Sequence, residues 1–162
     1  MSNPATSVQP GRAALIQRTG DAFMRRLLRS PLHRMVSDKL LIVTVIGRKA
    51  GHVYENPVGY AEDDGAILIG TAARWPRNLR AGEPVSITLR GRTVHADWEV
   101  LDEEEAATEC YRIILEHNPT HGKFAKVSLD PIGRVNRNQM RAALDRGTVV
   151  VRLRPRPALP DA

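Results

Sequence analysis

The chain has 162 residues, with 24 Lys and Arg against 18 Asp and Glu, a formal charge of +6. That length suits one domain with its own core, and the charge favours anionic partners: nucleic acid, acidic lipid, or a phosphorylated or carboxylated small molecule. Aromatic residues make up only 4%, too few for a nucleic-acid face of stacked bases, and the lone Cys110 permits no internal disulfide.

Residues 1–14, MSNPATSVQPGRAA, read as a loose tail without period. They lack the charged-then-apolar order of a signal peptide. No later run approaches the roughly 20 apolar residues of a membrane span, so a cytoplasmic protein is expected. A helix follows from Gly20, with Phe23 and Leu27, then Met24 and Leu28, at i,i+4 and arginines between them. Ser30-Pro31 ends it and starts a shorter one. LLIVTVI (40–46) is continuous and β-branched, as a strand buried on both faces would be. VYENPVGY (53–60) is a second strand in which Pro57 marks a sheet edge or a bulge. Asp63-Asp64-Gly65 signals a hairpin into AILIGT (66–71). VSITLRG (85–91) and TVHADWEVL (93–101) form the next hairpin. A helix capped by Asp102 runs to about Glu116 and stops at Asn118-Pro119. Residues 119–135 read as loop. Another helix spans Asn136–Arg146 with Gly147 as its stop, and TVVVRL (148–153) adds a last strand at the sheet edge. The expected architecture is α+β, about six mostly antiparallel strands closing toward a barrel. The expected domain is 15–155, followed by a tail at 156–162.

The histidines, at 33, 52, 95, 117 and 121, are scattered, and neither HExxH nor CxxC occurs, so no metal site is expected. There is no GxSxG nucleophile, and Cys110 reads as a half-buried core thiol. Two other stretches carry chemistry. GRKAG (47–51) places Arg48 and Lys49 in a turn bracketed by glycines. Exposed backbone N–H groups with two cations would cradle an anion, although a solvated hairpin turn explains the same residues. TAARWPRN (71–78) ends a strand in small residues, then sets Trp75 among Arg74, Arg77, Asn78 and Arg80; a lone loop Trp is more often partial core, but this setting suits a flat anionic ligand.

The order GR-K-A-G, N-P, a hairpin Asp-Gly, small residues, W, N-L and a basic residue resembles the deazaflavin-dependent nitroreductases and quinone reductases of actinobacteria. These are split β-barrel proteins. The likeness is best over Leu40–Leu101. It implies the coenzyme F-420, an 8-hydroxy-5-deazaflavin whose tail carries a phosphate and glutamates, with flavin mononucleotide as second choice. It implies that Arg48, Lys49 and Ala50 fall at the tail. Tyr54, Glu55, Asn56, Pro57, Val58 and Gly59 would lie on the strand along the cofactor. Gly70, Thr71, Ala72 and Ala73 would fall at the next strand end, and Arg74, Trp75, Pro76, Arg77 and Asn78 on a further contact segment. The implied activity is hydride transfer to a flat electron-poor molecule such as a quinone or nitroaromatic. No catalytic side chain is singled out.

The chain departs from the family where Ala72-Ala73-Arg74 stands in place of Ser-Lys and a Gly-rich insertion. A Tyr-rich C-terminal segment is replaced by HGKFAKVSLDPIG, whose only aromatic is Phe124. These departures favour an alternative on the same barrel: a carrier of a fatty acid or other hydrophobic anion. Nucleic acid is not an expected partner. The basic helix at 20–29 would suit a peripheral contact with acidic lipid, and a homodimer is left open.

Overall fold

The computed structural model describes residues 39–157. The tail at 1–14 and the helices read over 20–29 and 31–36 lie outside the described residues. Seven strands form one sheet: β1 (Leu40–Ile46), β2 (Val53–Gly59), β3 (Ala61–Asp63), β4 (Ala66–Thr71), β5 (Val85–Leu89), β6 (Arg92–Leu101) and β7 (Val149–Pro155). A 3₁₀ helix, η1 (Trp75–Asn78), follows β4. Helices α1 (Glu104–His117), α2 (Pro119–Ala125) and α3 (Arg137–Asp145) lie between β6 and β7. The order across the sheet is β2-β1-β5-β6-β7-β4-β3, and every pairing is antiparallel. The sheet curls so that β2, at one end, returns toward β4 near the other. This is the expected α+β split barrel.

Turn chemistry sets the register of two hairpins. Asp64-Gly65 and Arg90-Gly91 all take positive φ, 47° and 75°, then 49° and 78°. Two consecutive left-handed residues give the tight turn whose twist matches the strands it joins. Pro57 lies on β2 opposite Ile42. Because β2 is an edge strand, its missing N–H costs no ladder bond.

Alternation along the strands makes two cores. The inner one gathers Leu41, Val43, Val45, Ile67, Ile69, Ile87, Val151 and Leu153. The outer one lies between sheet and helices, where Leu68 and Val150 meet Ala107, Cys110, Tyr111, Ile114, Met140 and Ala143. Each fully buried Ile, Leu or Met here contributes about 1.5–3 kcal/mol relative to exposure.

Four expectations are corrected. The described residues hold seven strands, because Tyr60 interrupts the run read as 53–60 and a short β3 follows it. β7 is not at the edge. It sits between β6 and β4, since Val150 feeds one core while Val151 and Leu153 feed the other. Residues 119–135 are not all loop: Pro119 opens α2, and Leu129 bridges Val135. The first long helix starts at Glu104 after Glu103, with no side-chain cap. Asn136 does cap α3, accepting the Gln139 backbone N–H at 3.1 Å.

Candidate functional site

The turn between β1 and β2 spends its glycine N–H groups on itself. Gly47 N–H donates to the His52 carbonyl at 2.8 Å and Gly51 N–H to the Gly47 carbonyl at 3.2 Å. The idea that both glycines offer free donors is therefore corrected, and the cationic side chains remain. Arg48 reaches across the fold and donates to the Leu79 carbonyl at 3.0 Å, at the end of η1. That bond joins the GRKAG turn to the WPRN segment, which lies 31 residues away in sequence. Lys49, Ala50, Arg74 and Arg77 are exposed. Among the described residues no carboxylate pairs with Arg48, Lys49, Arg74 or Arg77. Several other surface arginines are matched, as Arg112 is to Glu109 and Glu116.

β2 runs along this opening. The Tyr54 ring is half-exposed and lies over Gly47, where an added Cβ would stand 2.7 Å from it. Asn56 turns back onto the sheet, its amide donating to the Val43 carbonyl at 3.3 Å and the Tyr54 carbonyl at 3.4 Å. It stiffens the edge strand more than it reaches outward. Pro57, Val58 and Gly59 are partly exposed beside it.

Trp75 does not stand open as an aromatic plate. Its ring is 4% exposed and belongs to the inner core, where it anchors η1. Among the described residues its indole N–H has no acceptor. The small side chains at the end of β4 are open, as read. Thr71 accepts the Ala73 N–H at 3.1 Å and bends the chain off the sheet. Asn78 lines a separate cavity of about 230 Å³, with Ile46, Arg80 and Trp98. The structure thus joins Arg48 to η1, but it sets Asn78 apart from the end of β4.

A second group of residues meets Gly70, Thr71 and Ala72. They share a cavity of about 460 Å³ with Tyr111, His121, Phe124, Lys126 and Arg146. Tyr111 Oη and His121 Nε2 are 3.3 Å apart, and both lie over Gly70. A Cβ there would meet them at 2.6 and 2.8 Å, so this approach requires glycine. Burial pushes the Tyr111 hydroxyl far above its usual range, so it keeps its proton. Burial also lowers His121, which favours the neutral ring. Reading 119–135 as loop hid this group. The available signal was Pro119 after Asn118, which opens a helix as readily as it closes one. Among the described residues no group of three or more His, Cys, Asp or Glu gathers as a metal site would. Nor is any helix there long and apolar enough to cross a membrane.

Solved structures share the fold at low identity. A candidate 5-nitroimidazole antibiotic resistance protein from Bacteroides thetaiotaomicron is 11% identical, with a TM-score of 0.52, over 77% of this chain and 78% of that one. HutZ, the heme storage protein from Vibrio cholerae, is 13% identical with a TM-score of 0.50, over 80% and 92%. A structure described as an F420-H2 dependent reductase is 17% identical with a TM-score of 0.48, over 71% and 93%. No curated protein matches the chain. At the level of sequence, a family model matches residues 16–132, a span that holds β1 to β6, the cationic turn, η1 and the α1–α2 pair. The chain belongs to the F420H(2)-dependent quinone reductase family.

Proposed function

We propose that the protein is an oxidoreductase that passes a hydride from a reduced deazaflavin coenzyme to a flat electron-poor acceptor, such as a quinone or nitroaromatic. The observation that carries this reading is the bond from Arg48 to the Leu79 carbonyl. It ties the cationic turn to η1 and leaves Lys49, Arg74 and Arg77 exposed with no carboxylate partner among the described residues. Cations without partners suit a tail of phosphate and carboxylates. The residues present therefore fit the coenzyme. A flavin mononucleotide has no glutamate tail and would use fewer of them.

When bound, the coenzyme supplies the hydride; the protein supplies binding, orientation and shelter from water. Arg48, Lys49, Arg74 and Arg77 hold the tail, and Ala50 leaves it room. Tyr54, Asn56, Pro57 and Val58 form one wall for the ring system, stiffened by the Asn56 amide. Thr71, Ala72 and Ala73 form the other wall, with Gly70 behind them under Tyr111 and His121, and the small side chains at 72 and 73 allow close approach. Trp75 fixes η1 from the core, and Asn78 closes its end. Tyr111 Oη keeps a proton beside Gly70.

The carrier reading has its own observation. A second cavity of about 480 Å³ is lined by Leu115, Pro119, Val127 and Leu129 with Lys123 and Lys126 at hand, apolar walls with cations as a fatty acid needs. A titration of the purified protein with coenzyme F-420, flavin mononucleotide and a long-chain fatty acid separates the two. Micromolar binding of the deazaflavin supports the reductase; binding of the fatty acid alone replaces it with the carrier. A homodimer would form through the β1–β2 hairpin, where Ile46, Val53 and Tyr54 stand exposed, and size measured at two concentrations reads it.

A further inference from the structure

The geometry points to a second ligand site, in the cavity between α1, α2 and the start of α3, that takes a straight-chain carboxylate on residues separate from those proposed for the coenzyme. Its volume, about 480 Å³, falls within the range of small-molecule sites. It shares only Lys126 with the cavity at the end of β4. Leu115 and Val127 are buried members of the outer core and Leu129 packs against it, so the apolar walls are held in place. Gly122 lets α2 close onto them: a Cβ there would stand 2.5 Å from the Val127 carbonyl oxygen and 3.0 Å from Leu115 Cδ2. No aromatic side chain lines the cavity, so a flat ring has nothing to stack on and an aliphatic body is the better match. The polar edge selects the head group. Gln139 Oε1 accepts the Ser128 backbone N–H and the Ser128 hydroxyl, each at 2.8 Å. A backbone N–H can only donate, so that end of the amide is the oxygen, and the two amide N–H bonds are left for a ligand. Lys123 and Lys126 add two cations with no carboxylate partner among the described residues. The lining includes no Asp or Glu. This edge therefore offers donors and positive charge, which a carboxylate answers and an alcohol answers poorly.

Binding here needs no coenzyme. It rests on the carrier reading for the class of ligand alone, and departs from it in leaving the coenzyme groove free. The test is calorimetric titration of the protein at physiological salt with octanoate, decanoate and 1-octanol, repeated in the presence of coenzyme F-420. Octanoate is expected to bind at least about tenfold more tightly than 1-octanol. Decanoate, with two further methylenes in the apolar cavity, should gain about tenfold over octanoate. Lys123→Gln with Lys126→Gln should erase the preference for the carboxylate, and Lys123→Gln alone should weaken it, because Lys123 lines this cavity and not the one at the end of β4. Arg146→Gln, which alters only the cavity at the end of β4, should keep the preference. No binding of either acid, equal affinity for 1-octanol, no gain with chain length, or a preference that survives the double change would each overturn the proposal. Loss with Arg146→Gln but not with Lys123→Gln, or displacement of decanoate by the coenzyme, would overturn it by placing the acid elsewhere. Adsorption to phosphatidylglycerol vesicles without binding of the free acids would overturn it in favour of a lipid surface. The coenzyme titration keeps the readings apart. Coenzyme binding without acid binding removes only this site; acid binding with the expected variant pattern but no coenzyme binding upholds this site and removes only the reductase.

Discussion

At the scale of the residue, the site depends on a few side chains with no spare tolerance. Gly70 is one. A methyl group there would stand 2.6 Å from Tyr111 Oη and 2.8 Å from His121 Nε2. Gly70→Ala is expected to lower stability by about 1–3 kcal/mol, the usual cost of overpacking, read by denaturant unfolding. His121 gives a pH signature. Burial holds its pKa below the usual 6.5 in the folded state, so the unfolded chain takes up the proton first as pH falls. Stability should therefore decline below about pH 6.5 and level off once the folded form also titrates. His121→Phe should flatten the melting temperature between pH 7 and 5; an unchanged slope would mean another group sets it. For the tail cations, Arg48→Ala with Lys49→Ala is expected to weaken the deazaflavin at least about tenfold, while a tail-less analogue keeps its affinity. Equal loss for both ligands would place the tail elsewhere.

At the scale of the element, the helices are tied to the sheet by packing and to one another by charge. Arg141 on α3 grips Glu104 at the start of α1 through two N–H bonds, at 3.0 and 3.1 Å. The Arg141 bond holds the Glu104 carboxyl below its usual 4.5. Its stabilisation is present above that value and lost as pH falls through the lower, folded one. Glu104→Gln should lower the melting temperature at pH 7, by an amount that shrinks as the pH is taken below 4.5. Residue Met140, fully buried in the outer core, connects α3 to α1 and β7. α2 is pinned at Gly122, where a Cβ would stand 2.5 Å from the Val127 carbonyl. That contact keeps His121 over Gly70, so the short helix shapes the cavity without offering a buried residue of its own.

At the scale of the molecule, a charge of +6 is distributed unevenly. Many arginines on the helices and on β7 are matched by carboxylates, while those of the GRKAG turn and η1 are not. A long-range field of this kind draws anions toward that turn and η1 and weakens with salt. Beyond Pro155, Arg156 is still bonded to the sheet. Arg156 N–H donates to the His95 carbonyl at 2.8 Å, and its guanidinium holds Asp97. Truncation after Pro155 should therefore lower the melting temperature relative to truncation after Pro157. Removal of residues 1–14 should leave it unchanged, since a sequence without apolar period has little to bury.

The sequence by itself determined six of the seven described strands, the hairpins and the class of fold. Local rules suffice there: β-branched runs, Asp-Gly and Arg-Gly turns, and Pro57 confined to an edge. It also marked the cationic turn and the small residues after β4, because their spacing along the chain is the signal. Only the tertiary structure decided which of these meet. Trp75, set among arginines, suited a flat ligand, yet its ring packs into the inner core behind η1. β7 looked like an added edge and became the strand joining both cores, since the last strand enters wherever two faces still lack a partner. His121 and Tyr111 carry no motif, and ten residues separate them. Their meeting over Gly70 depends on the packing of α1 and α2 against β4, a long-range outcome that no local pattern encodes.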